Sequence, residues 1–167
     1  ELENHWIPHG EFDTAELARL MASRRSCRNF LERPVEREAL DDLVKIGALA
    51  PSGTNSQRWT FTVLPTRSAV MKLGDGLADF FRRLNRMAGK PLVRNGLKII
   101  GKPQLFEYYR DHYRTVEEGL QEWAQEGKER LFHGATAAIV VGALSGASCP
   151  AEDALLATQN ILLAAHS

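Results

Sequence analysis

Cysteine is scarce in this chain: its 167 residues hold two, Cys27 and Cys149, with no CxxC. Two isolated thiols exclude a disulfide framework, and reduced thiols fit a cytoplasmic protein. Surplus charge of either sign is missing, with Lys+Arg 21 against Asp+Glu 21. That removes the basic excess typical of nucleic-acid and anionic-membrane binders. Long apolar runs are missing too. The longest, over residues 135–144, is about half the ~20 residues needed to span a bilayer. Residues 1–12 are polar and acidic, which is not the pattern of a secretory leader. No HExxH or Walker A motif is present, and Gly74-Asp75-Gly76 lacks the third glycine of a dinucleotide fingerprint. His5 and His9 have a metal-like spacing but no acidic or thiol partner nearby, so no metal site is expected. The chain opens without methionine and stops at Ser167 inside a helical pattern, so it reads as a fragment.

What is there suits a soluble globular domain: 44% hydrophobic and 25% charged residues. Its length argues for one domain, which buries roughly 70% of its unfolded surface. Residues 1–12 read as a tail or linker, and 13–167 as the domain. Asp13 with Glu16 makes an N-cap pair, after which Leu17, Leu20 and Met21 recur at helical spacing. Over 36–50, Leu40, Leu43, Val44 and Gly47 form an apolar stripe opposite Arg37, Asp41, Asp42 and Lys45, predicting an amphipathic helix that Pro51 stops. Residues 59–64 alternate and predict a strand. A helix follows, carrying Val70, Leu73, Leu77, Phe80, Leu84 and Met87 on one face. Residues 88–102, with Gly89, Pro91, Gly96 and Gly101, read as an irregular connection, and 104–131 as one long helix. The apolar run 137–143 predicts a buried strand. Pro150 starts a last helix that is apolar on nearly all sides over 154–165 and is expected to be central and buried.

Two segments carry chemistry. Arg24-Arg25-Ser26-Cys27-Arg28 puts three guanidiniums and a hydroxyl into five residues. Guanidiniums bind phosphate oxygens bidentately and keep their charge. The plainer alternative is a solvated helix end whose arginines favour the helix dipole. The second segment, Pro51-Ser52-Gly53-Thr54-Asn55-Ser56-Gln57-Arg58-Trp59, joins a helix to a strand. Asn55 and Gln57 each donate and accept, which suits the mixed polar edge of a flat ring, while Pro51, Ser52 and Gly53 permit close backbone approach. A plain turn is again the simpler account. Cys27 is either a small residue in a tight turn or a thiol activated by its cationic neighbours. Tyr108, Tyr109, Tyr113, Trp123, Phe132, Phe80 and Phe81 are either core or the lining of a substrate cavity.

Taken together and in this order, with Pro34-Val35 between them, the two segments resemble the signature of the nitroreductase family. That signature is an RRSxRxF element, a "PV" turn, a helix ending in "APS", and an "NSQPW"-like loop leading to a strand. Arg58 stands here where proline is common. Glu152-Asp153, Ala157, Gln159-Asn160-Ile161 and Leu163-Ala164-Ala165 are similar to the family's central helix. The resemblance implies an α+β fold, FMN-dependent nitroreductase-like, with helices packed around a mainly antiparallel sheet and incomplete at its C-terminus. Residues 80–132 would be the variable helical excursion that caps the flavin. Arg24, Arg25, Ser26 and Arg28 would hold the FMN phosphate and ribityl chain. Pro51, Ser52, Gly53, Asn55 and Gln57 would approach the ring, some of them from the partner subunit of a homodimer with FMN at the interface. Lys128 or Arg130 would add a polar contact. NAD(P)H would be the co-substrate, flavin N5 the reacting atom, and a nitroaromatic or quinone the acceptor, with no catalytic side chain. Two alternatives are a non-catalytic flavin-binding module and a dimerising α+β domain that has lost the cofactor. Some members of the family carry an iron–sulfur ferredoxin module upstream, and residues 1–12 are compatible with the end of a linker to one.

Overall fold

The computed structural model describes residues 7–167, so His5 and the start of the 1–12 segment lie outside it. The chain folds into two compact units. The first comprises the described residues up to Cys27, Leu31–Arg67 and Thr136–Ser167; the second comprises Arg28–Phe30 and Ser68–Ala135.

The first unit is built on two strands and three helices. Asp13 caps α1 (Thr14–Ser23), its side chain accepting the Ala15 N–H at 2.8 Å. Helix α2 (Arg37–Gly47) turns Leu40 and Gly47 inward. Its outer face carries Arg37–Asp41 and Lys45–Asp42 pairs, as the polar stripe required. Strand β1 (Trp59–Leu64) runs antiparallel to β2 (Ala138–Ala143), with Trp59 opposite Ala143 and Leu64 opposite Ala138. Helix α7 (Pro150–Ala164) packs on α2 and on both strands. Gly47 sets the spacing there: a Cβ on it would lie 2.9 Å from both Ile161 Cδ1 and Phe61 Cε1. Glycine in the apolar stripe is what lets α2 approach so closely.

The buried face of α7 is narrow. Asp153, Ala157 and Ile161, four residues apart, are its buried positions, while Leu155 is 68% and Leu162 45% exposed. The expectation of a helix buried all round is therefore corrected: within one chain only one stripe finds partners. Strand β2 is likewise only partly buried, with Val140 exposed.

The second unit is helical. Helix α3 (Arg67–Ala88) buries Val70, Gly74, Ala78, Asn85 and Ala88. Residues 88–102, expected to be irregular, contain α4 (Pro91–Ile99), because Pro91 occupies its first turn, where a missing N–H costs nothing. The single helix expected over 104–131 is two: α5 (Gln104–Asp111) and α6 (Tyr113–Glu126), broken at His112 with φ −129° and ψ −23°. Left-handed Gly127, φ 64°, ends α6 before residue 131. No helix among the described residues is long and apolar enough to cross a membrane.

Asn85 links three of these helices. Tyr108 donates its hydroxyl to Asn85 Oδ1 at 2.6 Å, and Asn85 Nδ2 donates to Glu117 Oε2 at 2.7 Å. Burial, then the Glu117 charge, then Tyr113 hold the Tyr108 phenol above its usual range. The folded state thus grips that proton more tightly than the unfolded chain does. Its contribution to stability is complete below the ordinary tyrosine value of about 10 and is lost as pH rises through the higher folded value. Ultraviolet titration should show a tyrosine step displaced above the usual range, and Tyr108→Phe should remove it.

Candidate functional site

The 51–57 loop is closed on itself and then fastened to the start of α7. Ser52 Oγ accepts the Gln57 N–H at 2.9 Å, and a 3-10 turn covers Gly53–Asn55. Thr54, Asn55 and Gln57 all have positive φ, at 53°, 54° and 49°. Asparagine tolerates this region, but a β-branched threonine does not adopt it without support. The support is visible. Thr54 donates its one hydroxyl hydrogen to its neighbour Gly53 O at 2.7 Å, so Ser148, 2.7 Å away, is the donor to Thr54 Oγ1. Gly53 N–H donates to Asp153 Oδ1 at 2.8 Å, and a Cβ on Gly53 would come within 3.0 Å of Cys149 Sγ. Arg58 fastens the other end by donating to Ser145 O at 2.8 Å, beside left-handed Gly146. Arginine at that position ties β1 to the turn before α7.

The amides are presented outward. Asn55 and Gln57 are exposed, and Gln57 Nε2 reaches Asn55 Oδ1 at 3.3 Å. Trp59 sits lower, its Nε1 buried without a hydrogen-bond partner.

Arg24 and Arg25 follow α1 directly. Arg25 is turned back on the helix end, donating to Ala22 O at 2.5 Å and Arg24 O at 3.0 Å. The Arg24 side chain makes no hydrogen bond or ion pair with other described residues, and Ser26 is exposed. Arg28 falls in the short stretch grouped with the second unit, is exposed, and also lacks such a partner among the described residues. Lys128 and Arg130 are engaged by one carboxylate, Glu122, which they hold below its usual pKa, the Arg130 hydrogen bond first.

Within the first unit Arg24 and the 51–57 loop sit at opposite ends of α7. Gly53 and Thr54 touch Asp153 and Ser148 at its N-terminal end, while Ser23, next to Arg24, lies 2.9 Å from His166 Nε2 just past its C-terminal end. Fifteen helical residues separate those ends, roughly 22 Å at 1.5 Å per residue. Among the described residues no hydrogen bond joins 24–26 to 51–57. The cavity of 640 Å³ in this unit lies elsewhere, between α2, β2 and the C-terminal half of α7, and its walls are Leu40, Leu43, Ile46, Ile139 and Ile161.

Sequence reasoning gave Asp153 no role. The signal was available: a carboxylate heads the otherwise apolar 153–157–161 stripe of α7. It is 2% exposed, and its Oδ2 is buried without a partner.

Comparison with known proteins places the fold. A 4-nitrobenzoate reductase of Pseudomonas putida is 39% identical over 51 residues, 30% of this chain and 22% of that protein. An iodotyrosine deiodinase of Haliscomenobacter hydrossis is 37% identical over 120 residues, 65% of this chain and 53% of that protein. The chain thus spans about half or less of these curated relatives. Among solved structures, a nitroreductase with bound FMN from Desulfitobacterium hafniense superposes with a TM-score of 0.53 at 25% identity, covering 90% of this chain and 64% of that one. An iodotyrosine deiodinase bound to FMN and 3-iodo-L-tyrosine shares the fold, with a TM-score of 0.52 at 21% identity over 90% of this chain and 68% of that one. The family model for the nitroreductase family matches residues 21–167, and the chain belongs to that family.

Proposed function

We propose that this protein is a cytoplasmic, homodimeric FMN-dependent oxidoreductase that passes reducing equivalents from NAD(P)H to a small oxidised acceptor. The observation that carries the reading is the 51–57 loop: a strained polar turn, fixed by α7, that holds two amides out from the chain. The available donors fit the cofactor. Arg24 and Arg28 have no side-chain partner among the described residues, as a phosphate site requires, and Asn55 and Gln57 offer both donor and acceptor atoms to a ring edge. Arg24, Arg25, Ser26 and Arg28 take the phosphate and ribityl chain; Pro51, Ser52, Gly53, Asn55 and Gln57 take the ring. When bound, FMN supplies hydride acceptance and donation at its N5 atom, and the side chains supply position and charge. A second copy is part of this reading, because one chain holds Arg24 and the amide loop at opposite ends of α7. The exposed Leu155, Leu156 and Leu162 supply apolar surface for it to cover.

The acceptor we favour is a nitroaromatic or quinone. The match to iodotyrosine deiodinase supports a second class, halogenated phenols, in which two electrons and a proton replace carbon–iodine by carbon–hydrogen and release iodide. Purified protein should be yellow, run as a dimer, and oxidise NAD(P)H only when acceptor is present. Iodide release from 3-iodotyrosine under a chemical reductant, without quinone turnover, would favour the second class. Flavin without turnover of any acceptor points to a binding module. A colourless, folded dimer points to a domain that has lost its cofactor.

A further inference from the structure

We propose that Asp153 is the positioning residue of the flavin-facing loop, its carboxylate fixing Gly53 and, through Gly53, the presentation of Asn55 and Gln57. The role rests on the FMN reading above. A carboxylate taken out of water works against folding unless its lone pairs are used. Asp153 is 2% exposed, in the first turn of α7, where the helix dipole favours negative charge. One oxygen is used on the Gly53 N–H, 100 residues away in sequence, at 2.8 Å. That contact reaches the one residue of the 3-10 turn that has no side chain, and Gly53 is pressed against Cys149 and Ser148 besides. The next two residues, Thr54 and Asn55, are left-handed, and Gln57 is left-handed again. A loop with three such residues relaxes unless something outside it defines its path. Asp153 does so from α7 and Ser148 from the turn just before it.

A second observation sets Asp153 apart from an ordinary loop tie. Three buried side-chain polar atoms among the described residues lack a hydrogen-bond partner: Ser56 Oγ, Trp59 Nε1 and Asp153 Oδ2. All three belong to the 51–59 segment or to the carboxylate that holds it. The loop has an indole N–H and a hydroxyl to give, and the carboxylate has a lone pair to take. Unsatisfied buried polar groups are few in native proteins, and each calls for a physical explanation.

The test compares the protein with D153A, D153N and D153S, reading Gly53 amide exchange without FMN and FMN affinity by fluorescence quenching. Losing a hydrogen bond to a charged group should speed Gly53 exchange by at least about tenfold in D153A and raise the FMN dissociation constant by at least about tenfold, with helix content unchanged. D153N keeps a neutral acceptor at the same reach and should recover a measurable part of both losses, leaving each value closer to the parent than in D153A. D153S, too short to reach Gly53 but still polar, should behave like D153A and serves if D153A does not fold. An unprotected Gly53 amide in the parent overturns the role, as do unchanged values in D153A and D153S or failure of D153N to rescue. A parent protein that binds no FMN ends the FMN reading itself, while parent binding that the variants leave unchanged ends this role alone.

Discussion

Replacing Arg24 and Arg28 together with alanine should leave a folded, colourless protein, with FMN affinity lowered by about two to four orders of magnitude. Each charge-assisted hydrogen bond to phosphate contributes about 1.5–3 kcal/mol, so two contribute roughly 3–6 kcal/mol, and each 1.4 kcal/mol is a factor of ten. The fold should not register the change. Neither guanidinium has a hydrogen bond or ion pair among the described residues, and surface substitutions of that kind stay within about 0.5 kcal/mol of neutral. Arg25→Ala is the internal comparison. Arg25 already commits one nitrogen to the carbonyls of Ala22 and Arg24, so its removal should weaken FMN less and cost the end of α1 slightly more. Flavin absorbance after gel filtration and a circular-dichroism melt read both effects. A double variant that retains flavin like the parent would show that the phosphate lies elsewhere.

The local pieces of this site were legible in the sequence because each is written in neighbouring residues. Asp13 capped α1, the stripe of Leu40 and Gly47 gave α2, and the alternation at 59–64 gave β1. The α+β class and the antiparallel character of the sheet followed the family resemblance. Punctuation was less reliable. Pro91 looked like a breaker and is a helix start; the aromatic stagger of Tyr109 and Tyr113 runs across His112 without registering the break there. Long-range arrangement was the least legible. That Arg24 and the amide loop occupy opposite ends of α7 depends on Ser23 meeting His166 and Gly53 meeting Asp153, and neither pair is close in sequence. The same holds for the exposure of α7. An all-round apolar helix reads as buried, but the sequence does not say whether its own chain or another covers it.

Asn85→Ala should damage the second unit, costing about 3 kcal/mol and lowering the melting temperature by roughly 6–12 °C. Asn85 is 4% exposed and joins α3 to Tyr108 on α5 and Glu117 on α6. Alanine removes both partners at once. The Tyr108 hydroxyl loses its acceptor and the Glu117 carboxylate loses its donor, in partly buried positions where water replaces them poorly. Asn85→Asp separates the two halves of this loss. It keeps an acceptor for Tyr108 but sets a second carboxylate against Glu117, so it should be strongly destabilised at neutral pH. Acidification should relieve it, because a proton on either carboxylate restores a donor between them. Combining Asn85→Asp with Glu117→Gln should restore most of the stability at neutral pH, since the glutamine then donates where the asparagine did. If the double variant melts no higher than Asn85→Asp alone, the destabilisation comes from packing around residue 85 rather than from the hydrogen bonds that cross it.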